Sequence, residues 1–333
     1  MLVPRLLHAV RASRRRLSRS RDRRVARRRA FATAGGLIPT ENCHAYQPAT
    51  GVLCGTWLSR DRKTLRYRRG CSLAAIDTLL SPANPEKPYE FEPEDGATVR
   101  RIWSPTQKHP AFKDMATAPR LLDCIEGLIG KNVLFHYSKL NMKGPKVGSV
   151  VEWHQDFSYY PHTNADLVTA LIFLDDASEA NGCLRVVPGS HRRGLLSHEV
   201  DGFFRGKVHD VDEARAVSIE VPAGSVLFLH CLTLHASARN VSQLPRRTFL
   251  PAYRAADAFP IYFGPHAAHN EPGVELLRGQ RSKVARVDQG THLLPLAERE
   301  FGSLYEVQEG SHLRKALTTM KTSGYAVTAA SGR

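Results

Sequence analysis

The sequence predicts a mainly β domain with supporting helices, a double-stranded β-helix of the jelly-roll kind. Three observations carry this expectation. Beyond Lys131 about eight short runs rich in strand-forming residues follow one another, separated by turn chemistry such as Asn181-Gly182, Pro188-Gly189 and Pro222-Ala223-Gly224. The helical spacing is gathered in front of them. A hydrophobic content of 42 % over 333 residues is enough for one sizeable core. Antiparallel strands in that number close into a roll braced on one sheet by the helices.

In chain order, the first 36 residues read as a basic arm. Residues 1–30 hold twelve Arg and one Asp, a net +11, which leaves only +4 of the chain's +15 for the rest. The basicity therefore belongs to a tail and not to a folded face. An Arg-rich, acid-poor start of this kind is read either as a solvated arm or as a mitochondrial presequence. No apolar core follows the charges, so it is not a secretory signal, and no run of eighteen apolar residues exists to span a membrane. Cytoplasm is the expected location, with mitochondria as the alternative.

Residues 37–71, with Pro39, Pro48, Gly51, Gly55 and a basic run from Arg60 to Arg69, fit no regular element. The six cysteines are dispersed without a Cys-x-x-Cys pair, which argues against structural zinc and a disulfide framework. From residue 72 to the end a single domain is expected. Ser72 to Leu80 has helical spacing and is stopped by Ser81-Pro82, and Pro119 to Ile129 is a second helix, opened by Pro119 and closed by Gly130. Pro85, Pro88 and Pro93 mark an irregular connection after the first. The expected strands are Val133–Leu140, Val150–Asp156, Leu167–Leu174, Leu184–Val187, Ala216–Val221, Ser225–His230, Leu234–Ser237 and Thr248–Tyr253.

Within the second strand, Trp153-His154-Gln155-Asp156 places an imidazole and a carboxylate two residues apart, and residues i and i+2 of a strand share a face. His154 and Asp156 can therefore hold one metal ion together. His235, far downstream, is a candidate third ligand. Two histidines and one carboxylate with the remaining positions open suit non-haem Fe(II). Alone, a His-x-Asp pair is more often two unrelated polar residues on a surface strand, so what surrounds each half decides.

The surroundings are Trp153-His154-Gln155-Asp156, then Asn181-Gly182 leading to Pro188-Gly189-Ser190-His191-Arg192, then His235-Ala236-Ser237-Ala238-Arg239-Asn240 with Arg246 eleven residues after His235. In this order they resemble the phytanoyl-CoA dioxygenase family of Fe(II)- and 2-oxoglutarate-dependent oxygenases, from roughly Ser72 to Tyr262. The resemblance implies a cupin-like jelly roll, Fe(II) on His154, Asp156 and His235, 2-oxoglutarate as co-substrate, and O2. It favours His235 over His230, which ends an apolar run and reads as a packed histidine. His191 reads as a turn residue.

The resemblance also places Arg246 at the position that binds the far carboxylate of 2-oxoglutarate, a task suited to a planar pair of donors, with Ser237 as a hydroxyl partner. Asn141 and Lys143 match positions that contact the co-substrate in a member of the family, ectoine hydroxylase. Arg247 reads as an exposed charge. The implied reaction is hydroxylation of an unactivated carbon, with release of succinate and CO2.

Phe157, Tyr159, Tyr160 and His162 either line the pocket or pack. The implied partner is a small molecule: an acyl-CoA, an amino-acid-like compound or a secondary metabolite. Halogenation is argued against by Asp156, because that chemistry needs a small residue there. Two other classes stay open: a silent jelly roll that only binds, and a nucleic-acid binder acting through the arm. The folded domain offers no basic aromatic stripe for nucleic acid.

Overall fold

Alternating apolar residues along long strands build a two-sided sheet that carries helices on one face and the site on the other. The computed structural model describes residues 46–47, 52–56, 62–84, 86, 89–262, 271, 273–288 and 294–295. The expected arm, residues 1–36, lies outside the described residues.

The elements run β1 (Tyr46–Gln47), β2 (Val52–Thr56), α1 (Arg62–Leu80), β3 (Tyr89–Phe91), β4 (Val99–Trp103), α2 (Pro105–Lys108), α3 (Pro110–Ala116), α4 (Pro119–Ile129), β5 (Val133–Lys143) and β6 (Val151–His154). They continue through β7 (Leu167–Phe173), β8 (Leu184–Val186), β9 (Glu199–Val200), β10 (Phe203–Phe204), β11 (Val217–Ile219), β12 (Ser225–His230), β13 (His235–Ser237), β14 (Arg246–Ala255) and β15 (Leu276–Arg278). The larger sheet has the order β1-β2-β12-β7-β14-β5-β4-β3, with β15 also on β5. The smaller one is β11-β8-β13-β6, and β9 pairs β10. Every strand pairing is antiparallel.

β7 shows how sequence becomes layers. All seven of its residues are buried. Val168, Ala170 and Ile172 point to the helices, joining Ile76, Phe112, Leu121, Ile125 and Phe249 in the main core. Leu171 and Phe173 point the other way, joining Leu184, Val186, Leu227, Leu229 and Leu250 between the two sheets. A period of two thus sends one half of the strand to each core. Gly182 sits in the turn before β8 at φ 73, where a Cβ would meet the carbonyl oxygen of Ala238 at 2.3 Å, so only glycine lets that turn close.

All eight expected strands and both expected helices are present, Ser225–His230 and Pro119–Ile129 with the expected bounds and the others with shifted ends. Three expectations need correction. Residues 37–71 are not structureless: β2 is an antiparallel neighbour of β12, and α1 starts ten residues earlier than its apolar spacing suggested. The stretch after α1 is not wholly irregular, since β3 and β4 extend the larger sheet through β5. The strand carrying His154 ends at that residue, and Asp156 opens a turn of 3-10 helix, Asp156–Ser158. Among the described residues no helix is long and apolar enough to cross a membrane, and Cys71, Cys183 and Cys231 carry free thiols.

Candidate metal and co-substrate site

His154 and His235 sit directly opposite each other in the β6–β13 ladder, so pairing of the smaller sheet brings together two ligands 81 positions apart. Their ring centroids are 4.1 Å apart. Each ring is oriented from its own chain: His154 Nδ1 lies 2.7 Å from the Glu152 carbonyl and His235 Nδ1 lies 2.8 Å from the Thr233 carbonyl. A proton on Nδ1 satisfies those carbonyls and leaves the Nε2 lone pair for a metal. Both Nε2 atoms face Asp156 Oδ1, at 3.8 Å and 4.0 Å. The three donors lie within 4.8 Å of one another, and all three residues are buried.

The electrostatics suit a cation. Burial, and for His154 also the neighbouring His235, hold both imidazoles below their ordinary range, so they stay neutral and able to ligate. Burial alone would raise the Asp156 carboxyl, but Lys139, His235 and His154 outweigh it and the net direction is down. A neutral pair of imidazoles and an ionised carboxylate on one side of a cavity are a donor set that fits Fe(II).

Gln155, between the two ligands on the first segment, is fully buried and makes the corner rigid. Its Nε2 donates to the carbonyls of Gly194 (2.9 Å) and Leu232 (2.7 Å), and its Oε1 accepts from the Leu196 amide at 2.7 Å. The Gln155 amide itself donates to His198 Nε2. Since Leu232 is three residues before His235, this one side chain joins both halves of the triad.

The triad opens into a cavity lined also by Arg101, Lys139, Asn141, Thr169, Ser237, Arg246 and Thr248. Arg246 is buried, and burial pulls its guanidinium down to about 10. Its Nη1 donates to Thr248 Oγ1 at 3.3 Å, while its Nε has no partner. A buried guanidinium left partly unpaired is costly unless a ligand completes it. The turn that delivers Arg246 is built by Asn240, whose side chain donates to the carbonyls of Lys143 and Leu244 and accepts from the Ser242 amide.

Of the residues expected at the co-substrate, Ser237 and Asn141 line the cavity, and Asn141 Oδ1 accepts from Arg101 Nε at 3.0 Å, which leaves its amide N–H groups for a ligand. Lys143 does not line it. Its ammonium donates to the carbonyls of Ser149 and Ala238, a structural task where a co-substrate contact was expected. Arg247 is no free surface charge: it grips Asp175 through Nε (2.7 Å) and Nη2 (2.8 Å).

His230 is packed against His191 and accepts from the Leu232 amide. Phe157, Tyr159, Tyr160 and His162 lie outside the lining; Tyr159, for instance, donates its hydroxyl to the Gly206 carbonyl. Sequence reasoning missed Arg101 and Lys139. For Lys139 the signal was present, because Lys139 and Asn141 alternate with Leu140 and Met142, but a polar stripe on a strand ordinarily reads as a solvent face.

A family model for phytanoyl-CoA dioxygenase matches residues 28–248. The chain is 35 % identical over 193 residues to a probable alpha-ketoglutarate-dependent hypophosphite dioxygenase of Stutzerimonas stutzeri, covering 55 % of this chain and 67 % of that protein. It is 29 % identical over 234 residues to L-proline trans-4-hydroxylase of Streptomyces griseoviridis, covering 60 % and 87 %. Its fold resembles the crystal structure of EctD from S. alaskensis in its apoform, with a TM-score of 0.56 and 22 % identity over 74 % of this chain and 93 % of that one. The metal-binding triad in its cupin-like roll and the match over 28–248 lead to one conclusion: this chain belongs to the phytanoyl-CoA dioxygenase family of Fe(II)- and 2-oxoglutarate-dependent oxygenases.

Proposed function

We propose that the protein hydroxylates an unactivated carbon of a small organic substrate, with conversion of 2-oxoglutarate to succinate and CO2. The observation that carries this reading is Arg246, a buried guanidinium with an unpartnered Nε in the same cavity as the His154, Asp156 and His235 donors. A dicarboxylate with one end at the donors and the other at Arg246 satisfies both. Both relatives named above carry names for oxidation of small molecules, which supports the substrate scale.

Fe(II), when bound, supplies the redox chemistry that couples decarboxylation of the co-substrate to oxidation of the substrate. The chain's own groups do the rest. His154, Asp156 and His235 would hold the ion at one side of the cavity. Arg246 takes the far carboxylate in a two-pronged contact, helped by the Ser237 and Thr248 hydroxyls, while Asn141 donates to the co-substrate from β5. Leu171, Leu184, Leu229 and Leu250 keep the walls dry.

The test is succinate formation by purified protein. It should require added Fe(II) and 2-oxoglutarate, proceed slowly without substrate, and accelerate with a substrate found in a panel of acyl-CoA, amino-acid and terpenoid compounds. Absence of any Fe(II)-dependent succinate from correctly folded protein would refute the reading.

A further inference from the structure

The cavity lining carries a charge imbalance that the co-substrate does not remove. Three cationic side chains line it, Arg101, Lys139 and Arg246, against one carboxylate, Asp156. Arg101 is matched, since its Nη1 lies 3.5 Å from Glu90 Oε2 and the two residues are cross-strand partners in the β3–β4 ladder. Among the described residues Lys139 has no such match. The nearest carboxylate to its ammonium there is Asp156, at 4.0 Å, and that carboxylate is one of the three metal donors. Glu271 also acts on Lys139, but it lies outside the lining and its influence is weaker than that of Asp156. Arg246 has no ion pair among the described residues, because Asp175 is taken by Arg247.

With the site loaded as proposed above, the cavity holds two positive charges on Fe(II) and one each on Lys139 and Arg246. They face one negative charge on Asp156 and two on 2-oxoglutarate. One positive charge remains, in a space walled by leucines. Uncompensated charge in such surroundings is unfavourable, so a further negative group completes the site.

Position says where it goes. Lys139 opposes Leu250 in the β5–β14 ladder and Arg246 opposes Lys143, a separation of four residues along the strand, or about 13 Å. Arg246 marks the co-substrate's far end, and Lys139 marks the metal end, where the oxidised carbon must lie. We propose that the substrate is a small organic monoanion whose charged group is anchored by the Lys139 ammonium beside the metal. Lys139 thereby selects for charge and fixes which carbon is presented. A lysine, with three rotatable donors, serves a planar carboxylate or a tetrahedral phosphorus oxyanion equally well, whereas an arginine fork favours planar, two-pronged contacts.

This rests on the reading that the site binds a divalent metal and 2-oxoglutarate, so the experiment checks that first. Wild-type protein is titrated without O2 with Mn(II) and then 2-oxoglutarate by calorimetry; failure to bind them overturns the reading and this inference with it. The loaded protein is next titrated with propionate, dimethyl phosphate and the neutral propionamide. At least one of the two anions should bind roughly tenfold or more tightly than the amide, and which one does so identifies the headgroup class.

Lys139→Met should abolish that preference while 2-oxoglutarate affinity stays within about twofold, and Lys139→Arg should restore part of it for propionate. Equal binding of amide and anions by wild-type protein overturns the proposal without any variant. So does a loss of 2-oxoglutarate affinity in Lys139→Met as large as the loss for the anion, which would place Lys139 on the co-substrate.

Discussion

His154 and His235 are cross-strand neighbours, each with its Nδ1 on a carbonyl two residues earlier in its own chain, and the resulting ring orientation points both Nε2 atoms at Asp156. The metal donors are therefore held before any ion arrives. Replacing His154, Asp156 or His235 with Ala should each abolish stoichiometric Fe(II) binding and all 2-oxoglutarate turnover. His230→Ala should retain Fe(II) binding, since that ring accepts from the Leu232 amide and packs on His191. A Fe(II) titration followed by succinate assay decides, and a silent His235→Ala with an inactive His230→Ala would reverse the assignment.

Gln155 predicts coupling between fold and site. Gln155→Ala leaves the Gly194 and Leu232 carbonyls and the Leu196 amide without their partner. At about 1 kcal/mol or more for each, the loss of stability should be roughly 3 kcal/mol. Fe(II) affinity should fall about ten- to a hundredfold, as expected when support for metal ligands is removed. Urea unfolding and metal titration of the same preparation measure both; full stability together with full Fe(II) affinity would show that the clamp is idle.

Arg246 and Arg247 point to opposite faces of β14 and should separate cleanly. Arg246→Met should raise the 2-oxoglutarate concentration needed for turnover at least about tenfold with Fe(II) affinity nearly unchanged, and Arg246→Lys should recover part of it. Arg247→Met should leave that concentration unchanged but cost about 1–3 kcal/mol of stability, because the buried Asp175 loses its two-pronged partner. Steady-state kinetics and unfolding curves check the pair; equal kinetic effects at both arginines would place the strand register in error.

The buried histidines set an acid limit. Burial holds His162 and His230 at about 3, below the ordinary value of 6.5. The unfolded chain therefore binds protons that the folded chain refuses. Stability contributed by keeping these rings neutral is fully present above about 6.5 and is lost as pH falls from there toward 3, by about 1.4 kcal/mol per pH unit for each ring. Unfolding curves between pH 7 and pH 5 measure the slope, and His162→Gln should make it shallower by one proton. An unchanged slope in that variant would mean His162 takes up its proton without unfolding.

The sequence by itself determined the class of fold, eight of its strands and the candidates for the three metal donors, because these depend on local signals. A period of two marks a strand wherever it packs, turn residues mark its ends, and His-x-Asp with a distant His before Ser, Asn and Arg is a pattern of residue types. Arg246 entered through the resemblance, and the fold places it in the lining of the same cavity.

Tertiary structure alone decided which polar residues face one another. Asp156 is aimed by a 3-10 turn and by Gln155's hydrogen bonds to Gly194, Leu196 and Leu232, and no spacing within the strand reveals that geometry. β4, hidden behind prolines, carries Arg101 into the cavity only because it pairs with β5. Lys139 and Lys143 lie on the same face of one strand and look alike in sequence. One enters the cavity while the other is spent on two carbonyls from loops 6 and 95 residues away, because an ammonium goes to whichever acceptors the folded chain brings within its reach.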